Sequence, residues 1–199
     1  MWGMIATWRM ALEGIQKVTP NLEAGGTAGD AIEGAIKEVE DFPYFKSVGY
    51  GGLPNEEMEV ELDAAYLDGS TFDFGAVCAL KQFANPISVA RALSAYKVNN
   101  VLVGDGAAAF AKAHHFEEKD MLTDRAKIHF HNRLKDIERE QLTPYAGHDT
   151  VGMVGLDASG DMVAGTSTSG LFMKKPGRVG DYMSTAQLVA RRQRVLGKT

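Results

Sequence analysis

His148-Asp149-Thr150-Val151-Gly152-Met153-Val154-Gly155-Leu156 begins as a polar stretch and becomes an apolar run interrupted by glycine. After the turn Asp157-Ala158-Ser159-Gly160-Asp161 comes a second such run, Met162-Val163-Ala164-Gly165-Thr166-Ser167-Thr168. Two short apolar runs around a Ser-Gly turn predict a β-hairpin. Glycine inside a strand costs packing and marks a place where another backbone or a ligand comes close. The hairpin brings the Asp149-Thr150 pair to the same end as Thr166-Ser167-Thr168. Hydroxyls and a carboxylate gathered there have the makings of a nucleophile site. Polar residues also cap strands with no chemical role, so spacing alone leaves both readings open.

Upstream, Val60 to Leu67 and Thr71 to Val77 flank Asp68-Gly69-Ser70 and predict another hairpin. Ala28, Ala31, Ile32, Ala35, Ile36 and Val39 fall on one helical face, with Thr27 as cap and a stop before Asp41-Phe42-Pro43. Asn85-Pro86 predicts an N-cap followed by proline at the first helical position, with the helix running to Tyr96. Val101 to Val103 reads as a short buried strand and Ala107 to Ala113 as a helix. Asp124 to Glu140 reads as a charged helix turning Ala126, Phe130, Leu134 and Ile137 inward. Gln141 to Gly147 has lost periodicity and is the best linker candidate.

The chain has 199 residues, a formal charge of −5, 45% hydrophobic and 24% charged residues. That composition is ordinary for a globular domain and excludes disordered, collagen-like and coiled-coil classes. No apolar run reaches the ~18 residues of a membrane span, and the net negative charge disfavours nucleic acid as a partner. The single cysteine, Cys78, cannot form an internal disulfide and sits in an apolar strand, where a buried thiol is expected. Nothing at Met1 to Leu12 has the form of a secretory signal, so a cytoplasmic location is expected by default. His114-His115 and His129-Phe130-His131 lack the carboxylates or cysteines that would complete a metal site, and Gly104-Asp105-Gly106 lacks the lysine of a phosphate loop. No metal and no cofactor are expected.

Three ordered motifs narrow the reading. They are His148-Asp149-Thr150-Val151-Gly152-Met153-Val154, Ala164-Gly165-Thr166-Ser167-Thr168-Ser169-Gly170, and Gly177-Arg178-Val179-Gly180-Asp181. Their succession resembles the glycosylasparaginase (aspartylglucosaminidase) family within the N-terminal nucleophile hydrolases. Ala6-Thr7-Trp8, Ser47-Val48-Gly49-Tyr50-Gly51-Gly52 and Leu62-Asp63-Ala64 agree with it. The resemblance spans about residues 5 to 181. Its His-Asp-Thr-Val-Gly-Met form favours this branch over the plant-type asparaginases and isoaspartyl peptidases, which stay as the alternative.

The resemblance implies an α+β fold, a four-layer αββα sandwich, and a precursor that cuts itself between Asp149 and Thr150, with His148 serving that step. One domain would then comprise residues 1–149, the start of a second chain at 150–181, and a basic tail at 182–199. Thr150 would become the nucleophile. A threonine hydroxyl needs a base, and cleavage frees an α-amino group on the same residue, with an unperturbed pKa of ~7.7–8.0. Thr168 would support the nucleophile and Ser47 would orient its new amino terminus. Arg178 would hold the α-carboxylate of the substrate through a two-pronged guanidinium contact, and Asp181 its α-ammonium. Trp8 would line the substrate entrance; taken as a residue alone, it fits the core equally well. The implied substrate is a small molecule, an asparagine whose side-chain amide bears N-acetylglucosamine or a related aspartyl amide. The resemblance allows a homodimer of processed chains, without nucleic acid or membrane.

Past Asp181 the sequence departs from the family. Tyr182 to Thr199 contains neither the Ser-Pro and Gly-Ala-Gly segments nor the later Thr-Gly pair that supplies an oxyanion hole in relatives. Losing one oxyanion donor costs ~100- to 1000-fold in rate. The expected sandwich is therefore incomplete at its C-terminal end, and a catalytically inactive truncated relative stands beside the hydrolase as a second expectation.

Overall fold

A computed structural model describes residues 1–141 and 150–180. Its elements, in chain order, are β1 (Gly3–Ala6), α1 (Leu12–Glu23), α2 (Ala28–Asp41), β2 (Leu62–Asp68), β3 (Phe74–Leu80), α3 (Pro86–Ser94), β4 (Val101–Val103), α4 (Gly104–Ala113), α5 (Asp124–Glu140), β5 (Val151–Leu156) and β6 (Met162–Thr168). The described strands form one six-stranded sheet in the order β1-β5-β6-β2-β3-β4. Only β3 and β4 run parallel; every other neighbouring pair is antiparallel. Both expected hairpins are present, and they meet along β2 and β6 at the centre of the sheet. The mixed α+β class is as expected, with one sheet and its helix layer among the described residues.

The two faces of the sheet differ. Side chains alternate along a strand, so each strand gives every second residue to the same face. Val151, Met153, Val163, Ala64, Tyr66 and Val77 belong to the main core with Ile32, Ala35 and Ile36 of α2 and Ile87, Ala90 and Leu93 of α3. Helix α2 lies close enough to β6 that a Cβ on Gly165 would stand 2.7 Å from both Ile32 and Ile36. That contact explains the glycine. Ala164, Thr166 and Thr168 therefore point to the opposite face, where Ala164 clusters with Leu67 and Val154. Asp63 and Ala65 share that face.

Long-range contacts set the helix ends. Thr27 caps α2 as expected, its hydroxyl accepting the amide of Asp30 at 3.1 Å. Asp157, in the β5-β6 turn, is a second capping acceptor for this helix, taking the Ala28 amide at 3.0 Å. Asn85 is not the side-chain cap expected for α3. It adopts φ 48° and its side chain makes no cap bond; its amide nitrogen donates to Asp41 at 2.9 Å instead. Glu40 takes the capping role, accepting from the Ile87 amide at 3.1 Å. The strand at Val101 to Val103 exists but is exposed rather than buried, since it is the sheet edge. In α5, Ala126 and Phe130 are buried as expected, whereas Leu134 is exposed, contrary to expectation.

Glu40 is 0% exposed. Burial pushes its carboxyl up to about 8, against hydrogen bonds from the Ile87 amide and the Asn85 side chain that favour the charged form. Over the window from about 4.5 to 8 the folded chain thus holds a proton that the unfolded chain releases. Its stabilising contribution is complete below the unfolded value and is lost as pH rises through about 8. Glu40→Gln is expected to flatten the decline of Tm across that window, measured by thermal unfolding in a pH series; an unchanged decline would show that Glu40 does not drive it.

Candidate functional site

The site forms at the end of the β5-β6 hairpin, on the face away from α2. Val151 pairs with Ser167 and Asp63 with Thr168. Thr150 precedes Val151 by one residue and Thr168 follows Ser167 by one, so the antiparallel register brings these two threonines side by side. Thr150, Thr168 and Asp63 consequently lie along one row across three strands.

Neighbouring loops lock that row. The Thr7 hydroxyl donates to the Thr150 carbonyl at 2.8 Å and accepts from the Gly152 amide at 2.9 Å. This residue, at the end of β1, fixes the backbone of the expected nucleophile. Thr168 is 0% exposed. Its hydroxyl accepts from the Gly170 amide at 2.9 Å and donates to the Ser47 carbonyl at 3.3 Å. Ser47 also accepts the Ser169 amide at 2.7 Å. Ser47 and Thr168 are therefore neighbours, with Ser47 making these contacts through its main-chain oxygen. Thr166 and Ser169 bury hydroxyls that have no hydrogen-bond partner among the described residues. They give the site further polar lining.

Arg178 sits on the loop Gly177-Arg178-Val179-Gly180. The Gly177 amide donates to both carboxylate oxygens of Glu61 at 3.1 Å, and the Gly180 amide donates to Asp63 at 2.9 Å. A Cβ on Gly180 would lie 3.2 Å from the Thr168 methyl, 3.5 Å from the Asp63 carboxylate and 3.6 Å from the Arg178 guanidinium. Glycine thus keeps the loop clear where it crosses Thr168, and the guanidinium stands beside that crossing. Burial raises the Asp63 carboxyl, opposed first by the charge of Lys174 and then by the Ala79 and Gly180 amides.

Trp8 is 59% exposed, so the core alternative falls. It follows the Thr7 clamp and holds φ 62°, a conformation that is an outlier for a bulky residue and typically costs ~1–3 kcal/mol. A strained, exposed aromatic one residue after the Thr7 that holds Thr150 suits a place at the mouth of the site. His148, Asp149 and Asp181 lie outside the described residues, as do the tail at 182–199 and all of the linker candidate except Gln141.

Sequence reading singled out neither Thr7, Glu61 and Lys174 nor any role for Asp63. Glu61-Leu62-Asp63 carried a usable signal, since two acids in alternation within an apolar strand require a buried partner. Elsewhere, His114 stacks on Phe110 with ring centroids 3.9 Å apart and bonds the Tyr96 hydroxyl at 3.1 Å. Among the described residues, no group of three or more His, Cys, Asp or Glu is arranged to hold a metal. No described helix is long and apolar enough to cross a membrane. Cys78 is buried, as expected.

Residues 6–186 match the family described as Asparaginase. The chain is 38% identical over 178 residues to an N(4)-(beta-N-acetylglucosaminyl)-L-asparaginase of Elizabethkingia miricola, covering 89% of this chain and 52% of that protein. It is 35% identical over 176 residues to an isoaspartyl peptidase/L-asparaginase of Rattus norvegicus, covering 85% and 53%. A plant-type L-asparaginase of Thermococcus kodakarensis is 40% identical over 169 residues, covering 78% and 55%. The chain spans about half the length of the curated relatives it matches.

Proposed function

The chain belongs to the asparaginase family, and from that premise we propose that it is an amidohydrolase segment that matures by cutting itself between Asp149 and Thr150. The cut yields residues 1–149 and a second chain beginning at Thr150. The mature site opens the amide joining N-acetylglucosamine to an asparagine side chain. The observation that carries this reading is the convergence of Thr150, Thr168 and the Arg178 loop at one end of the sheet.

The chemistry follows from the groups present. In the precursor the Thr150 hydroxyl attacks the Asp149 carbonyl, the acyl group passes from nitrogen to oxygen and so frees the α-amine, and water hydrolyses the resulting ester, releasing the Asp149 carboxylate and restoring the hydroxyl. That amine then takes the hydroxyl proton as Thr150 attacks the side-chain amide of the substrate. The glycosylamine leaves with a proton, and water hydrolyses the β-aspartyl ester. Thr168 supports the nucleophile, Arg178 and Asp181 hold the carboxylate and ammonium of the substrate, and Trp8 borders its entrance. His148 serves the maturation step.

Relatives carrying three different names, at 38%, 35% and 40% identity, give a specific reason to keep the isoaspartyl peptidase/asparaginase reading as second. Aspartate release from N4-(N-acetylglucosaminyl)-asparagine and from a β-aspartyl dipeptide separates them. We expect the glycosylated asparagine to be preferred by at least about tenfold in kcat/KM, that is, by ~1.4 kcal/mol. The opposite preference moves the chain to the second branch, and no release from either overturns the hydrolase.

A further inference from the structure

We propose that Glu61 and Asp63, backed by the buried ammonium of Lys174, are positioning residues that aim Arg178 and so set the demand for a free α-carboxylate on the substrate. The inference rests on the reading of Arg178 as the carboxylate-binding side chain.

Glu61 and Asp63 are two residues apart and therefore share one face of the chain as it enters β2. Each accepts a main-chain amide from one of the glycines that bracket Arg178-Val179. The loop is thus fastened at both ends, with its own turn closed by the Arg178 amide donating to the Lys175 carbonyl at 3.0 Å. Glu61 is 2% exposed, Asp63 0% and Lys174 1%. Two buried acids are expensive without a counter-charge. Lys174 supplies one, its ammonium lying 3.6 Å from the Glu61 carboxylate and 3.5 Å from the Glu61 carbonyl. A Cβ on Gly170 would come within 3.1 Å of that nitrogen, so Gly170 leaves room for it. Phe172 and Met173 anchor the intervening segment against Phe130 of α5.

A loop that only had to cover the sheet could have used apolar packing. Fastening it through charged, buried acceptors fixes the direction of the residue between them, and a two-pronged guanidinium contact depends steeply on direction. A displacement of ~1 Å at such a group can cost about 100-fold.

Glu61→Ala, Asp63→Ala, Glu61→Gln and Asp63→Asn form the test, assayed on a β-aspartyl substrate with its α-carboxylate free and on the same substrate amidated there. The alanine variants are expected to raise KM for the free-carboxylate substrate by about 10- to 100-fold while kcat stays within about threefold. KM for the amidated substrate should not move, so discrimination collapses. Gln and Asn keep one acceptor oxygen and should recover most of the loss. Unchanged KM, or a fall in kcat alone, overturns the proposal.

Hydrogen exchange at the Gly177 and Gly180 amides gives a readout independent of turnover. Slow exchange in the wild-type chain that accelerates at least about tenfold in the alanine variants supports the fastening. Fast exchange in the wild type, or no acceleration, overturns it. A wild-type chain that hydrolyses neither substrate but shows the exchange pattern refutes the hydrolase reading and supports the fastening.

Discussion

Thr150→Ala is expected to leave the chain in one piece after warm incubation and to reduce turnover by at least about 10,000-fold, because one hydroxyl performs both reactions. Intact mass should show two species for the wild type, residues 1–149 and 150–199, and a single full-length species for the variant. Thr150→Ser keeps a hydroxyl and should still cut, more slowly. The substitution should not disturb the fold, since the contact that holds Thr150 runs from the Thr7 hydroxyl to its main-chain carbonyl at 2.8 Å. The side chain contributes nothing to that bond. Val151 and Met153 keep their places in the main core in either case. An equal Tm with lost cleavage therefore separates chemistry from folding. Two fragments from Thr150→Ala would assign the cut to another agent and sink the nucleophile.

The hairpins and the order of the motifs were legible because alternation and turn residues are local signals. Thr27 was legible as a cap for the same reason, since its partner Asp30 is three residues away. The contacts that complete the helix starts were hidden because their partners are distant: Asp157 reaches the Ala28 amide from 129 residues away, and Glu40 reaches Ile87 from 47. β1 was missed because Gly3–Ala6 has only four residues, too few for a period to establish itself, and α1 because Pro20 interrupts its pattern. Edge or interior position is equally non-local, which is why Val101 to Val103 read as buried.

In the site, the motifs pointed to Thr150, Thr168, Ser47, Trp8 and Arg178, but not to what holds them. Thr7 acts through the backbone of a neighbouring strand, Glu61 through an amide 116 residues away, and Lys174 through its charge beside Glu61. A pattern of residue types does not encode those distances.

Arg178→Gln should lower kcat/KM for a substrate with a free α-carboxylate by about 100- to 1000-fold, the second-largest effect expected here. Removing one partner of a hydrogen-bonded charge pair in a partly buried site typically costs ~2–5 kcal/mol, because the other charge is left poorly solvated. Arg178 is half-buried and its guanidinium stands beside Thr168 where Gly180 crosses, so bulk water compensates only in part. Arg178→Lys restores the charge without the planar fork and should recover some of the loss. The decisive measurement is the ratio of kcat/KM for the free-carboxylate substrate to that for its α-amide, taken in all three proteins. In the wild type the ratio should be large; in Arg178→Gln it should approach one, through loss on the carboxylate substrate alone. If both substrates slowed together, Arg178 would be supporting the chemistry or the fold, and the demand for a free carboxylate would have to come from another residue.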